Sequence, residues 1–284
     1  MLCFFASDLH GHTDRYGKLF ERMVAERPRA VFLGGDLLPM AFASLGKDSI
    51  DDFVTDFVAA ELERVRRALG PDYPAVFVIL GNDDLKAEEE TVLAAAGRGL
   101  WTYVHATSAP LEDFTVYGYA NIPPSPFMLK DWERYDVSRF VDPGSVPPEE
   151  GRRSVAHDER ETRYGTIRND LDLLAGEDDL TRAIFLFHSP PYKTNLDRAA
   201  LDDRMHEHVP LDVHVGSIAI RRFIEDRQPL VTLHGHVHES ARLTGEWRDQ
   251  IGRTHLMSAA HDGPELALVR FDPDAPESAT RELC

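Results

Sequence analysis

The sequence predicts an α/β protein in which helices cover a largely parallel β-sheet. Short apolar runs alternate with amphipathic stretches along the chain, and the first three runs are apolar on both faces. Alternating strands and helices are typical of α/β folds, and strands that are apolar throughout suit a parallel sheet covered on both sides. The second half has more strand-like runs with shorter connections, which predicts a second sheet packed on the first.

Eight segments show the short apolar pattern of strands, and five show the spacing of amphipathic helices. The predicted strands are 2–6, 30–33, 75–80, 114–119, 183–187, 230–233, 255–258 and 266–271. The predicted helices are 14–26, 50–69, 88–96, 161–174 and 217–226. The second helix ends at Gly70-Pro71, which is a helix stop signal.

Composition narrows the class of ligand. The chain has 284 residues, of which 43% are hydrophobic and 28% charged, and its formal net charge is -18. An acidic surface repels nucleic acid and anionic membranes, so a long nucleic acid is not expected as a partner. A small phosphorylated substrate stays compatible with this charge, because bound metal ions reverse the local potential.

The sequence gives no reason to expect export or membrane insertion. Residues 1–8 lack a basic leader and enter directly into a predicted strand. No apolar run approaches the ~20 residues of a membrane span, and the two cysteines, Cys3 and Cys284, do not suggest a disulfide framework. Without internal repeats or a flexible linker, we expect one domain over residues 1–284, in the cytoplasm.

Residues 121–160 differ from the rest of the chain. They contain six prolines and many charges with little periodicity, and structureless segments of this length are often functional. One interpretation is a surface loop pinned by aromatic residues: Phe127, Trp132, Tyr135 and Phe140. The other is a wall or lid over a site. The sequence leaves both open.

Five dispersed segments end in residues that bind metals, and each follows a predicted strand. They are Asp8-Leu9-His10, Gly34-Gly35-Asp36, Gly81-Asn82-Asp83, His188 and Gly235-His236-Val237-His238. In open α/β sheets ligands bind beyond the carboxyl ends of the strands, so these segments predict a single site. Aspartate, asparagine and histidine side chains together suit a pair of divalent transition metals, and two-metal sites hydrolyse phosphate esters.

Local geometry supports the same grouping. Residues i and i+2 of an extended chain point the same way, which suits the Asp-x-His and His-x-His spacings. By the same alternation, His234 is expected to point away from the site. Taken alone, each aspartate could be a turn residue or a helix cap, and each histidine an ordinary surface or hydrogen-bonded residue.

These segments resemble the motifs of the calcineurin-like metallophosphoesterase superfamily. Its pattern is Asp-x-His, Gly-Asp, Gly-Asn-His-Asp/Glu, a histidine after a strand, and Gly-His-x-His. The matching blocks here run from residue 8 to residue 238. The resemblance implies a four-layer αββα sandwich of two mixed sheets flanked by helices, with the metal site at the strand ends.

The resemblance also implies a role for each ligand. Asp8, His10, Asp36 and His238 would hold one metal, and Asp36, Asn82, His188 and His236 the other. Asp36 would then bridge two ions ~3.5–4 Å apart and offset part of their repulsion. A hydroxide between the ions would attack phosphorus. Manganese is the expected metal, and iron, zinc, cobalt and nickel are alternatives that the ligand set also suits.

The chain departs from the family pattern at Asp83, where the family often has a histidine that can act as a general acid. A carboxylate beside two cations stays ionised and donates protons poorly. This favours phosphodiesters over alkyl monoesters, although Asp83 could instead bind water or a substrate hydroxyl. Asp83 and His236 are the candidate catalytic residues. The alternatives are a phosphomonoesterase, a nucleotide pyrophosphohydrolase and, from another class, a non-catalytic scaffold.

Two residues are candidates for binding the substrate. Lys193 follows His188 closely and could contact a phosphate, or it could be an ordinary solvated lysine. Ser217 begins a predicted helix, whose first backbone amides could bind an anion, or it could simply cap that helix. Neither the natural substrate nor the oligomeric state follows from the sequence.

Overall fold

The computed structural model describes residues 1–39 and 52–284. Its strands are β1 (Cys3–Ala6), β2 (Ala30–Gly34), β3 (Ala75–Ile79), β4 (Thr102–Tyr103), β5 (Thr107–Leu111), β6 (Phe114–Tyr119), β7 (Ala183–Phe187), β8 (Met205–His206), β9 (Val209–Pro210), β10 (Val231–His234), β11 (Arg248–Ile251), β12 (Thr254–Ser258), β13 (Ala267–Phe271) and β14 (Thr280–Leu283). Its α-helices are α1 (Thr13–Glu26), α2 (Ala60–Leu69), α3 (Glu89–Gly97), α4 (Glu159–Tyr164), α5 (Ile167–Ala175), α6 (Ile218–Arg227) and α7 (Ser240–Thr244).

Twelve of these strands form two six-stranded sheets. The first has the order β14-β13-β1-β2-β3-β4 and the second β11-β12-β10-β7-β6-β5. β1 to β4 pair in parallel, as do β6, β7, β10 and β12, while β5, β11, β13 and β14 pair antiparallel with their neighbours. Both sheets are therefore mixed, and the carboxyl ends of their central strands lie at one edge of each sheet.

Side-chain alternation on β7 shows how the layers stack. Ile184 and Leu186 join the apolar cluster that contains the first sheet, whereas Phe185 and Phe187 join the cluster that contains helices α5 and α6. Because successive strand residues point to opposite faces, β7 has one face on the other sheet and one on the helices. Helices α1, α2 and α3 bury their apolar residues in the first cluster, so the fold is the expected αββα sandwich.

The structure contains elements that were not predicted, among them β4, β5, β8, β9, β11 and α7, and three of its differences concern predicted elements or their place in the sheets. The last strands, β13 and β14, return to the first sheet, where β13 pairs with β1. The predicted helix 161–174 is two helices, because Thr166 caps α5 by accepting a hydrogen bond from Asn169 N after a break at Gly165. The predicted helix 50–69 begins outside the described residues and is a π-helix over Phe53–Ala59 before α2.

The segment 121–160 is anchored by only two of its four predicted aromatic residues. Trp132 and Tyr135 are buried, but Phe127 and Phe140 are 58% and 72% exposed. The Trp132 indole donates to Asp84 O at 2.8 Å, which ties the segment to the residues after β3. The presence of an aromatic residue in the sequence therefore does not show whether that residue is buried. Trp132 differs from the two exposed phenylalanines in having an indole N–H that donates to the backbone.

A buried ion pair organises the same segment. Lys130 Nζ lies 2.5 Å from Glu133 Oε2, and the two side chains are 0% and 1% exposed. Lys130 also donates to Ser125 O, and Glu133 accepts from Ser125 N at 2.8 Å. Burying charges is favourable only with such partners, so this pair fixes the path of the chain between residues 125 and 133.

None of the helices in the described part of the chain combines the length and the apolarity that a bilayer crossing requires.

Candidate metal centre

The five predicted segments meet at one place. β1, β2 and β3 of the first sheet lead into the segments with Asp8, Asp36 and Asn82, and β7 and β10 of the second sheet lead into those with His188 and His236. The carboxyl ends of parallel strands share one edge of a sheet, and the two sheets place these edges side by side. All seven candidate ligands therefore belong to this edge.

The first group of side chains is Asp8, His10, Asp36 and His238. One ligand atom of each lies within 4.8 Å of the others. His238 Nε2 is 3.2 Å from Asp8 Oδ1 and 3.1 Å from His10 Nε2. His10 Nδ1 is buried without a hydrogen-bond partner among the described residues.

The second group shares Asp36 with the first. Ligand atoms of Asp36, His188 and His236 again lie within 4.8 Å of one another. His188 Nε2 is 3.2 Å from Asp36 Oδ2 and 3.0 Å from Asn82 Oδ1. One carboxylate thus belongs to two clusters, which is the placement that a bridging ligand requires.

The chemistry of the clusters fits divalent cations. His10 Nε2 and His238 Nε2 face each other at 3.1 Å, and only one proton fits between them. When both rings are neutral and carry their protons on Nδ1, the two Nε2 lone pairs point at each other. A cation would accept both lone pairs. Imidazole, carboxylate and amide donors together match transition metals rather than magnesium or calcium, which prefer oxygen alone.

The backbone at the ligands is not extended. Asp8, His10, Asp36 and His236 have φ values of 56°, 46°, 51° and 73°, in the left-handed region that non-glycine residues rarely adopt. The extended geometry expected for Asp8-x-His10 and His236-x-His238 is therefore wrong: tight turns bring these side chains together. Such strain is typical of sites where the surrounding structure fixes an unfavourable conformation.

Two glycines permit the close approach of these turns. A Cβ added to Gly81 would collide with the backbone nitrogen and the carboxylate of Asp36. A Cβ added to Gly235 would collide with Ser7 Oγ and lie 2.7 Å from Asp8 Oδ2. These positions need glycine because no side chain fits beside the candidate ligands.

Sequence reasoning missed three residues that hold the ligand loops in place. Asp84 is fully buried and accepts hydrogen bonds from Leu38 N at 2.7 Å and Gly81 N at 2.9 Å, which joins the loops after β2 and β3. Arg15 donates to Asp8 O at 2.7 Å, and Ser7 Oγ donates to the Asp8 carboxylate. Of these three residues, only Asp84 had an indication in the sequence, as the second aspartate of Gly81-Asn82-Asp83-Asp84.

Buried charges at the site perturb the histidines strongly. Burial opposes the charge on His188, but Asp36 outweighs it and raises the pKa of His188 to about 10. Burial also opposes the charge on His238, whose hydrogen bond with Asp8 raises its pKa to about 9. His236 has no such partner within residues 1–39 and 52–284, and burial together with the positive His188 lowers its pKa to about 3.

Asp83 lies beside the clusters rather than within them. Its backbone N–H donates to Asp36 Oδ1 at 2.7 Å, its Oδ2 is 3.8 Å from His10 Nδ1, and its side chain is 34% exposed. Burial and the negative charge of Asp36 raise the pKa of the Asp83 carboxyl. The Asp83 side chain is therefore partly exposed at the border of the two clusters.

The two predicted substrate residues, Ser217 and Lys193, make other contacts in the structure. The Ser217 side chain accepts from Ile220 N and donates to Asp136 Oδ1, and the Asp136 carboxylate also accepts from Ile218 N and Ala219 N. The start of α6 is thus occupied by a carboxylate of the chain itself, and Ser217 is a helix cap. The exposed Lys193 places its ammonium 5.1 Å from the ring centroid of Tyr192.

His234 lies outside the two clusters, as the alternation of side-chain directions along a strand predicts. It is buried, with Nδ1 3.0 Å from Ser189 O and Nε2 2.8 Å from Thr232 Oγ1. Both ring nitrogens are used in hydrogen bonds, so His234 supports the ligand-bearing loop without being a candidate ligand.

Paired Asp/His clusters at the strand ends of an αββα sandwich define a dimetal hydrolase, and comparison with known proteins gives the family. The sequence profile of the calcineurin-like phosphoesterase family matches residues 1–240. The chain belongs to this family of metal-dependent hydrolases, which act on phosphoric ester bonds. A search of curated proteins found no match.

Solved structures share the fold at low sequence identity. Protein TT1561 of Thermus thermophilus has a TM-score of 0.54 and 16% identity, and the match covers 99% of this chain and 98% of that one. A dimetal phosphatase from Danio rerio has a TM-score of 0.51 and 14% identity over 95% and 91% of the two chains. Phosphopantetheinyl hydrolase (PptH) from Mycobacterium tuberculosis has a TM-score of 0.51 and 10% identity over 91% and 89%.

Proposed function

We propose that this protein is a phosphodiesterase that acts on small phosphorylated substrates and uses two divalent metal ions, manganese foremost. The metal ligands would be the six side chains of the two clusters, with Asp36 shared between them, and Asn82, which contacts His188. When bound, such ions would activate a water molecule and neutralise charge that develops on the phosphoryl oxygens. The observation that carries the choice of a diester is Asp83.

The chain's own residues have distinct tasks in this proposal. Asp36 adds negative charge where two cations would otherwise repel each other. The low pKa of His236, caused by burial and by His188, keeps its imidazole neutral and available as a ligand. Asn82 supplies a neutral amide oxygen 3.0 Å from His188 Nε2, which limits the negative charge of the second cluster.

Asp83 supports diesters because it is a poor proton donor beside cations. Its carboxyl pKa is raised in the metal-free protein by burial and by Asp36, but nearby divalent cations act in the opposite direction. An ionised Asp83 cannot protonate an alkoxide leaving group. Aryl or activated diesters lose little from this, whereas alkyl monoesters lose a general acid that is worth ~100-fold or more.

A substrate panel tests the proposal. The protein is assayed with manganese, iron, zinc, cobalt or nickel on bis(p-nitrophenyl) phosphate, on the alkyl monoester glycerol 2-phosphate and on a nucleoside diphosphate. Faster turnover of the diester is expected, with the highest rate in manganese. Preference for the monoester or the diphosphate would replace the proposal with a phosphomonoesterase or a nucleotide pyrophosphohydrolase, and turnover of none would favour a scaffold.

A further inference from the structure

A cavity of about 480 Å³ is lined by residues of the segment 121–160 and of helices α4 and α5. Tyr119, the last residue of β6, lines it, and His188 N donates to Tyr119 O at 3.2 Å across the β6–β7 pair. Lys86, also on the wall, follows Asp83 by three residues. Since neighbouring strands lie ~4.8 Å apart, the backbones of Tyr119 and His188 are adjacent, although none of the seven ligands lines the cavity.

The wall presents hydrogen-bond donors without partners. His105 Nδ1 accepts from Ala120 N at 3.0 Å, so the proton of the neutral ring lies on Nε2. Burial, together with the positive Lys86 and Arg134, lowers the pKa of His105 to about 3, which keeps this ring neutral. Arg153 Nε is buried and, among the described residues, has no hydrogen-bond partner.

Lys86 adds a cation with no counter-ion within the described ranges. Its Nζ lies 4.8 Å from the ring centroid of the buried Trp132, a cation–π contact that holds the side chain against the wall. The backbone N–H of Lys86 donates to Asp131 Oδ2 at 2.8 Å, but its ammonium makes no ion pair there.

Two carboxylates of the wall, in contrast, already accept hydrogen bonds. Asp131 accepts from Lys86 N and Ser154 N, each at 2.8 Å. Asp170 accepts from the Tyr119 hydroxyl at 2.6 Å and from Arg134. The cavity therefore offers donors to a ligand, and the ligand must bring acceptors.

Charge and size restrict the ligand further. The wall has more carboxylates than cations: Asp131, Glu133, Asp158, Glu161 and Asp170 against Lys86, Arg134 and Arg153. This balance disfavours a second strongly charged anion. Val155, Ala156 and Leu174 add apolar surface, and the volume lies in the range of small-molecule sites.

We infer that this cavity binds an uncharged organic substituent of the substrate that carries hydrogen-bond acceptors and has about the size of a nucleoside. Lys86, His105 Nε2 and Arg153 would donate to it while the phosphodiester lies at the strand ends. The inference rests on the proposed phosphodiesterase function, because it assigns the cavity to the same substrate.

Two esters with one leaving group test the inference. Methyl p-nitrophenyl phosphate and the p-nitrophenyl ester of thymidine 5′-phosphate release the same chromophore, so the ratio of their kcat/KM values reports the substituent alone. The expected ratio favours the thymidine ester by at least tenfold, the gain from roughly two hydrogen bonds. Arg153→Met should lower the ratio roughly fivefold through KM.

The controls separate binding from folding. Arg152→Met removes a neighbouring exposed arginine that does not line the cavity and should leave the ratio unchanged. Ala156→Trp, at an exposed position of the rim, should lower the ratio by narrowing the mouth even if Arg153→Met proves unstable. A wild-type ratio near one, or an equal effect of Arg152→Met, would overturn the inference and leave the phosphodiesterase proposal intact.

Failure of the proposed function has a different signature. If neither ester is hydrolysed with any of the five metals, the phosphodiesterase proposal is lost. Saturation-transfer NMR with thymidine then tests the cavity directly: a signal that Ala156→Trp removes supports it, and the absence of a signal from wild-type protein overturns it.

Discussion

Asp36 and His188 join the two sheets through a contact of 3.2 Å between Oδ2 and Nε2. Asp36 follows β2 of the first sheet, His188 follows β7 of the second, and both are buried. A buried carboxylate and imidazole stabilise each other's charge, and Asp36 also contributes to the cluster with Asp8. The contact thus links the packing of the sandwich to the assembly of the site.

Asp36→Asn should abolish metal binding at both clusters, because the shared carboxylate loses its charge and one of its oxygens. We expect bound metal, measured by mass spectrometry after dialysis, to fall from about two ions per chain to nearly none. Hydrolysis of bis(p-nitrophenyl) phosphate should fall by at least ~100-fold. Asp56→Asn, at an exposed position, is the matched control, and full metal content in Asp36→Asn would refute the bridging role.

Metal binding should release protons. Asp36 and Asp8 raise the pKa values of His188 and His238 to about 10 and about 9, so both histidines hold a proton at pH 7 in the metal-free protein. Only neutral imidazole binds a metal, so loading both clusters should release about two protons at pH 7, and affinity should rise with pH. Calorimetry in buffers of different ionisation enthalpy measures the number of protons released per chain.

The metal-free protein should respond to pH in the opposite direction. Because the folded pKa of His188 is raised, its contribution to stability is complete below its ordinary value of 6.5 and is lost as pH rises through about 10. The Tm of metal-free protein should therefore fall between pH 7 and 10, while the stabilisation from added manganese grows. If metal binding released close to zero protons at every pH, both the predicted proton release and the predicted fall in Tm would be contradicted.

The sequence predicts the ligand set because each ligand follows a local signal, an apolar run that ends in a metal-binding residue. It does not predict the left-handed backbone of Asp8 or Asp36, since those turns depend on close packing against glycines far along the chain. Ser217 shows the same limit. A helix start is readable locally, but its occupation by Asp136, 81 residues earlier, is a tertiary contact.

Gly81→Ala should disable the site without unfolding the sandwich. The added methyl group would collide with the backbone nitrogen and carboxylate of Asp36, and something in the ligand loops must move. We expect loss of metal with little change in far-UV circular dichroism. Gly17→Ala, on helix α1, is the matched control, because an added Cβ there would meet none of the residues that the structure describes within 4 Å. Alanine should stabilise that helix by about 0.5–1 kcal/mol.

Glu133→Ala should strongly destabilise the protein, because it leaves the buried ammonium of Lys130 without its partner. Removing one member of a buried pair costs about 3–5 kcal/mol, which urea denaturation measures as a lower midpoint. The exposed pair of Arg182 and Asp274 gives the control, and Asp274→Ala should change the free energy of unfolding by less than about 1 kcal/mol.

The double variant Lys130→Met, Glu133→Leu should recover most of the loss, since apolar residues of similar size remove the unpaired charge. If the single and double variants are equally unstable, the cost comes from lost packing and not from the unpaired lysine.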